Sequence, residues 1–265
     1  MFSQYRILFS TLIMAMAVAL FVLRNGYQGQ PELIAHAGGG IERETYMNSL
    51  ETINLNYQLG HRYFELDFSW TADDQLVLIH DWKKSYKRLF NNHSEQPPDS
   101  QAFVNMPMLN DHTPMTLADL VNWLKSHPDA HVLADIKDRN VAGLHHIKTH
   151  HPEISQQFIA QVFHPREYPE VRALGYDRVV YSLYKIRIPT VEIKTFIKEA
   201  ELFALAMKTV QKDFDALLQT ANDHRVFVYV QTINDIEQLR SLQQKGVNGI
   251  YTDFIYEKQG ELVYQ

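Results

Sequence analysis

Two carboxylates, Glu65 and Asp67, stand two residues apart in the run Tyr63-Phe-Glu-Leu-Asp-Phe-Ser69, which is otherwise apolar and aromatic. In a strand, residues at this spacing point to the same face. Both acids then project away from Phe64, Leu66 and Phe68 into space that would otherwise be core. Buried like charges repel and lose hydration, so they need a partner, and a divalent cation is the usual one for oxygen ligands. The simpler reading is an edge strand with two solvated acids. The residues beyond Ser69 favour a buried pair. The polar stretch Thr71-Ala-Asp-Asp-Gln75 reads as a tight turn, and Leu76-Val-Leu-Ile-His-Asp81 runs back, delivering His80 and Asp81 near the acids. A return this short excludes a parallel neighbour, so it is a hairpin.

The remaining polar candidates fall at the ends of apolar runs. His36 ends the buried strand 33–37, ahead of Gly38, Gly39 and Gly40, whose amides could approach a ligand closely. Asp135 and Lys137 close the strand 131–137; Lys208 follows the strand 202–207 and Gln231 ends the strand 226–231. The simple account of Asp135 is a pair with Lys137, two along on the same face. As a third carboxylate it would complete a set that suits Mg²⁺ or Ca²⁺ rather than zinc. Two histidines beside one hard cation suit a phosphodiester. The cation and Lys137 would neutralise the phosphoryl oxygens, while one imidazole takes the nucleophile's proton and the other protonates the leaving alkoxide. The other histidines, among them His112, His145, His146, His150 and His151, read as structural.

These residues need a frame, and the spacing supplies one. A helix over 48–59 stops at Gly60, and Thr116 caps a helix to about 125. Helices near 141–149, 168–174, 191–200, 212–222 and 233–245 then alternate with strands at 158–163, 178–183, 202–207, 226–231 and 247–252. Strands alternating with helices imply right-handed βαβ units and a parallel sheet. Eight such units predict a (β/α)8 TIM barrel with a β-hairpin and a long loop inserted after strand 2; a doubly wound open sheet is the alternative. The connection 81–115 holds Pro97-Pro98 and few periodic positions, and is expected to be a structureless, lid-like loop whose aromatic and basic residues either serve an anionic or lipid-like substrate or are solvated charge around a few anchoring aromatics.

The 265 residues, 45% hydrophobic and 21% charged, suffice for one large α/β domain. A net charge of −6 argues against a nucleic-acid binder, and the lack of cysteine excludes disulfides, thiolate metal sites and a cysteine nucleophile. Residues 7–23 are uncharged and bracketed by Arg6 and Arg24, about the shortest run that spans a bilayer. They are expected to form one N-terminal transmembrane helix within an anchor and linker at 1–30, leaving the barrel at 31–265 on the exported side. A cleaved signal segment, giving a secreted domain, is the rival.

The ordered set His36-Ala-Gly-Gly, Asn48-Ser49, Gly60, Glu65-Leu-Asp67, Thr71-x-Asp73, His80-Asp81, Asp135-Ile-Lys137 and Thr252-Asp253 resembles the glycerophosphodiester phosphodiesterase family, part of a wider set with phosphatidylinositol-specific phospholipase C-like barrels. The resemblance covers nearly the whole chain after the anchor. It implies a (β/α)8 barrel with Glu65, Asp67 and Asp135 as metal ligands and His36 and His80 as the acid/base pair. The chain looks like a divergent branch: Ala37 stands where the family has a phosphate-binding arginine and Met47 where it has a glutamate, unless Glu44 substitutes. Asp135 replaces a glutamate and Gln231 a tryptophan. The implied activity is metal-dependent cleavage of a glycerophosphodiester or a lipid-derived phosphodiester. The rival is a catalytically weak barrel that binds a phospholipid headgroup or a partner protein, motivated by Ala37.

Overall fold

The computed structural model describes residues 32–185 and 187–265. Strands β1 (Glu32–Ala35) and β2 (Tyr63–Trp70) are followed by a short β3 (Leu76–Leu78) that turns back on β2. Then come β4 (His131–Ile136), β5 (Phe158–Val162), β6 (Val179–Ser182), β7 (Ala204–Lys208), β8 (Phe227–Gln231) and β9 (Gly249–Thr252). Apart from β3, the strands pair in parallel in the order β1-β9-β8-β7-β6-β5-β4-β2, and β1 also pairs with β2. That last pairing closes the sheet into an eight-stranded barrel. An open doubly wound sheet is thereby ruled out, as is an edge position for β2. The apolar segment expected to cross a membrane lies outside the described residues. Among the described residues no helix is long and apolar enough to do so.

Helix α1 (Leu50–Gln58) connects β1 to β2 and α4 (Leu117–Ser126) precedes β4; α5 (Asn140–His150), α6 (Tyr168–Ala173), α7 (Thr190–Glu199), α8 (Phe214–Asp223) and α9 (Ile236–Gln244) precede β5 to β9 in turn, while α2 (Lys84–Phe90) and α3 (Ser100–Val104) lie in the insertion. Local chemistry sets the ends. Ser49 and Thr52 form a capping box on α1, and Thr116 and Asp119 form one on α4. The residues differ from expectation at three places. Strand β1 stops at Ala35, because His36–Gly38 form a single 3₁₀ turn in which Ala37 is left-handed (φ 49°). Past β9, an antiparallel hairpin of β10 (Ile255–Lys258) and β11 (Glu261–Tyr264) had no clear turn signal beyond Gly260. The third difference is the 81–115 connection.

That connection is folded, not structureless. Helices α2 and α3 place Tyr86 and Phe103 against Val77 and Ile79, with Trp82 and Phe90 packed at the side. The rings meet edge-on, Trp82 with Tyr86 at 5.1 Å between centroids and with Phe103 at 5.8 Å. The Asp81 carboxylate accepts from the amides of Lys83 and Lys84, and Asp99 caps α3. Two turns this short carry too few apolar positions to show a helical period.

Alternation sorts each barrel strand. Phe64, Leu66 and Phe68 of β2 join the large core between sheet and helices. Inside the barrel, Ile34, Leu133, Ile159, Val180, Ala204, Ala206, Tyr229 and Tyr251 form a separate apolar layer. Large and small residues interdigitate there: a Cβ at Gly249 would lie 2.5 Å from the Tyr229 ring. The close approach lets the Tyr229 hydroxyl donate to Glu32 at 2.5 Å.

Gly249→Ala should therefore overpack this layer and destabilise the fold by about 1–3 kcal/mol, seen as a lower denaturant midpoint at constant m-value. His61 offers a pH test. It is buried with Nδ1 3.3 Å from the Leu33 carbonyl oxygen, and burial lowers its pKa to about 4. The folded state holds it neutral, so its contribution is complete above pH ~6.5 and is lost as pH falls towards 4, on the order of 3 kcal/mol across the window. Between pH 7 and 4.5, His61→Gln should lose stability less steeply than the native chain.

Candidate active site

At the C-terminal ends of the strands lies a cleft of about 250 Å³ lined by His36, Tyr46, Glu65, Asp67, His80, Asp135, Lys137, Tyr184, Lys208, Gln231 and Thr232. Strand parity explains the gathering. Asp67 and Asp135 are register partners on adjacent β2 and β4, and Glu65 lies one inward position below Asp67. All three carboxylates are buried, with oxygens within 4.8 Å of one another. Solvated acids on an edge strand are thus excluded.

Each acid is held differently. Asp67 is clamped by Asn48, whose Nδ2 donates to Oδ2 at 2.8 Å while Oδ1 accepts from the Asp67 amide at 3.0 Å. Glu65 accepts from the Ala37 amide at 2.9 Å. Burial above all, then the Asp67 charge, pushes the Glu65 carboxyl up to about 8. Asp67 goes the other way: burial would raise it, but Lys137 and His80 hold it below the usual carboxylate range. Lys137 Nζ bridges Asp67 at 2.5 Å and Asp135 at 2.9 Å, so the pairing of Asp135 with Lys137 and the convergence of the acids are both present. Asp135 also accepts from the Tyr184 hydroxyl at 2.5 Å and from Lys185 Nζ at 3.3 Å.

Both histidines are oriented through Nδ1. His36 Nδ1 lies 2.8 Å from Asp253, whose other oxygen accepts from Asn234 at 2.6 Å. His80 Nδ1 lies 2.9 Å from Asp81, which helix α2 fixes through its first amides. In each pair Nε2 is the nitrogen left for a ligand. Burial would lower the His36 pKa, but the Asp253 hydrogen bond and the charges of Glu65, Asp253 and Asp67 outweigh it and raise it.

The cleft gathers eight of the ten residues proposed from the sequence: His36, His80, Glu65, Asp67, Asp135, Lys137, Lys208 and Gln231. Gly38 and Gly39 do not line it. The Gly39 amide bonds back to the His36 carbonyl, and Cβ atoms at Gly38 and Gly39 would meet Ile53 at 3.2 Å and Asn56 at 2.4 Å. These glycines let the loop pack on α1. Nor does Glu44 replace the missing acid at Met47, which is buried beside Leu89 and Met108; Glu44 pairs with Arg88 at 2.9 Å. Tyr46, Tyr184, Lys185 and Asp253 were not among the proposed site residues. Of these only Asp253 carried a signal, in the pair Thr252-Asp253 after the last strand.

The model of the glycerophosphoryl diester phosphodiesterase family matches residues 36–257. The chain belongs to this family of phosphoric diester hydrolases. Solved structures agree in fold. A glycerophosphodiester phosphodiesterase from Thermotoga maritima is 19% identical over 85% of this chain and 95% of its own, with a TM-score of 0.68. One from Parabacteroides distasonis is 18% identical over 85% and 94%, with a TM-score of 0.67. A phosphodiesterase from Oleispira antarctica, solved with its product sn-glycerol-3-phosphate, is 17% identical over 84% and 93%, with a TM-score of 0.64. None of the curated proteins compared with the chain matches it.

The donor set fits a divalent cation. Three buried carboxylates offer oxygen ligands within one small volume, the chemistry that Mg²⁺ or Ca²⁺ takes. Below them the Tyr251 hydroxyl is buried with no partner among the described residues, in the field of Glu65 and Asp135. Lys137 and Lys185 offset part of the charge. Lys137→Met should remove the bridge between Asp67 and Asp135 and destabilise the fold by about 3 kcal/mol, measured by denaturant unfolding in the presence of chelator.

Proposed function

We propose that this chain cleaves a glycerophosphodiester or a lipid-derived phosphodiester, with His36 and His80 as the acid/base pair and Glu65, Asp67 and Asp135 as ligands of Mg²⁺ or Ca²⁺. The observation that carries this reading is the pair of aspartate-oriented imidazoles opening onto the same cleft as the three acids. In the same reading the apolar residues 7–23 tether the barrel to a membrane on the exported side.

A bound cation would withdraw charge from the non-bridging oxygens of the phosphoryl group. The protein's own groups do the rest. The Nε2 of one imidazole takes a proton from the attacking oxygen, of water or of a substrate hydroxyl, as the new P–O bond forms. The Nε2 of the other gives its proton to the alkoxide as the old P–O bond breaks. Asp253 and Asp81 hold the rings in place and stabilise each as the imidazolium, the form the base becomes on taking its proton and the acid has before giving its own. Lys137 pairs with both aspartates and holds Asp67 ionised, the state a metal ligand needs. The product of the Oleispira antarctica phosphodiesterase, a phosphomonoester of glycerol, supports the small-molecule substrate class.

Turnover of an activated phosphodiester and of several glycerophosphodiesters by the full chain tests this. His36→Ala and His80→Ala should each lower kcat by about 10²–10⁴-fold, and chelator should abolish an activity that Mg²⁺ or Ca²⁺ restores. Native and variant chains equally inert with every ion and diester would defeat the enzyme reading and leave a binding barrel.

A further inference from the structure

Tyr46 stands in the cleft with its ring edge-on to both imidazoles, its centroid 4.6 Å from that of His36 and 5.4 Å from that of His80. The chain is held there against its preference. Tyr46 has φ 55°, and Glu42, Arg43 and Asn48 lie in the same left-handed region at 50°, 70° and 50°. Only asparagine among these takes that region readily; a bulky tyrosine does not, and such strain persists where the surroundings impose it, commonly at ligand sites. Two neighbours impose it. Arg88 of helix α2 donates to the carbonyls of Thr45 at 2.6 Å and Tyr46 at 3.3 Å while pairing with Glu44. Asn48 is fixed by its reciprocal bonds to Asp67.

The donors in the cleft are mostly engaged. Lys137 holds Asp67 and Asp135. Lys185 binds Asp135 and the carbonyls of Ile136 and Lys137. Both histidine Nδ1 atoms bind aspartates. A phosphodiester monoanion brings two non-bridging oxygens that need donors. The Tyr46 hydroxyl has no hydrogen-bond partner among the described residues, and the charges that act on it are those of Asp67, Glu65, Asp253 and Lys137, which surround the cleft floor. Burial and these carboxylates push its pKa up to about 12, so it remains an O–H donor.

We propose that Tyr46 is a substrate-contacting residue whose hydroxyl donates to a non-bridging phosphoryl oxygen lodged between His36 and His80. The assignment rests on the reading of the cleft as a phosphodiester site. A neutral donor adds direction without adding charge to a site that already holds Lys137, Lys185 and Lys208. Its fixed loop supplies the position, and Arg88 links that position to the insertion that also carries Asp81.

The test uses the full chain with Mg²⁺ or Ca²⁺ and two readouts, kcat/KM for a phosphodiester and calorimetric binding of inorganic phosphate, on Tyr46→Phe and Tyr46→Ala. Tyr46→Phe keeps the ring and should lower both by about 10- to 100-fold, as loss of one hydrogen bond to a charged group does, with unchanged Tm. Tyr46→Ala should lose at least as much. If Tyr46→Phe stays within about twofold of the native chain in both readouts, or if the native chain binds no phosphate, the assignment fails. A native chain that hydrolyses diesters no better than Tyr46→Phe overturns the role of Tyr46 alone. Phosphate binding that depends on the hydroxyl in a chain without turnover keeps Tyr46 and overturns the hydrolase.

Discussion

Glu65, Asp67 and Asp135 bring their oxygens within 4.8 Å of one another inside the barrel, and the repulsion among three buried charges governs what surrounds them. Desolvation and mutual charge push Glu65 towards its protonated form, while Lys137 and Asn48 hold Asp67 ionised. Asp135 takes three donors, from Lys137, Tyr184 and Lys185. Each compensating group is itself fixed: Asn48 by its left-handed turn, Lys185 by the carbonyls of Ile136 and Lys137 and by the Phe163 ring 3.6 Å from its ammonium. Ordered charge at the mouth thus sits directly above an apolar layer of mixed large and small residues. The interior layer around Ala204, Ala206 and Tyr251 supplies an apolar floor on which the acids stand.

The parts of this arrangement that follow a period were legible in the sequence. Alternation placed Glu65 and Asp67 on one face, the 71–75 turn returned His80 to them, and the βα rhythm put Asp135, Lys208 and Gln231 at the same end of the sheet. Residues placed by tertiary contact were not legible. Tyr184 and Lys185 follow β6 in a segment with no pattern, and only folding shows that they reach Asp135. Tyr46 owes its place to backbone angles that tyrosine disfavours, which no propensity anticipates. The glycines after His36 looked like a ligand cradle because three in a row permit close approach. Gly38 and Gly39 approach helix α1 instead, and Gly40 approaches Asp253 and Phe254 beyond β9.

The insertion shows how a departure from pattern is absorbed. Met47 is apolar where an acid was sought, and it is buried with Leu89 and Met108, so the insertion is anchored on the very loop that lacks the carboxylate. Arg88 completes the junction by binding Glu44 and the carbonyls of Thr45 and Tyr46. Asp81, which orients His80, also receives the first amides of α2. One short helix therefore sets the geometry of a histidine on one side and of the strained loop on the other.

The pairing of β1 with β9 has a temporal meaning. His36 leaves β1 and its aspartate, 217 positions later, leaves β9, so the two meet only once β9 lies beside β1. A nascent chain on the ribosome already owns Glu65, Asp67, His80 and Asp135, yet its first imidazole lacks this anchor until Asp253 has been added. The pairing of His36 with Asp253 is in this sense self-timed, possible only after the strand that stands between β8 and β1 has been made.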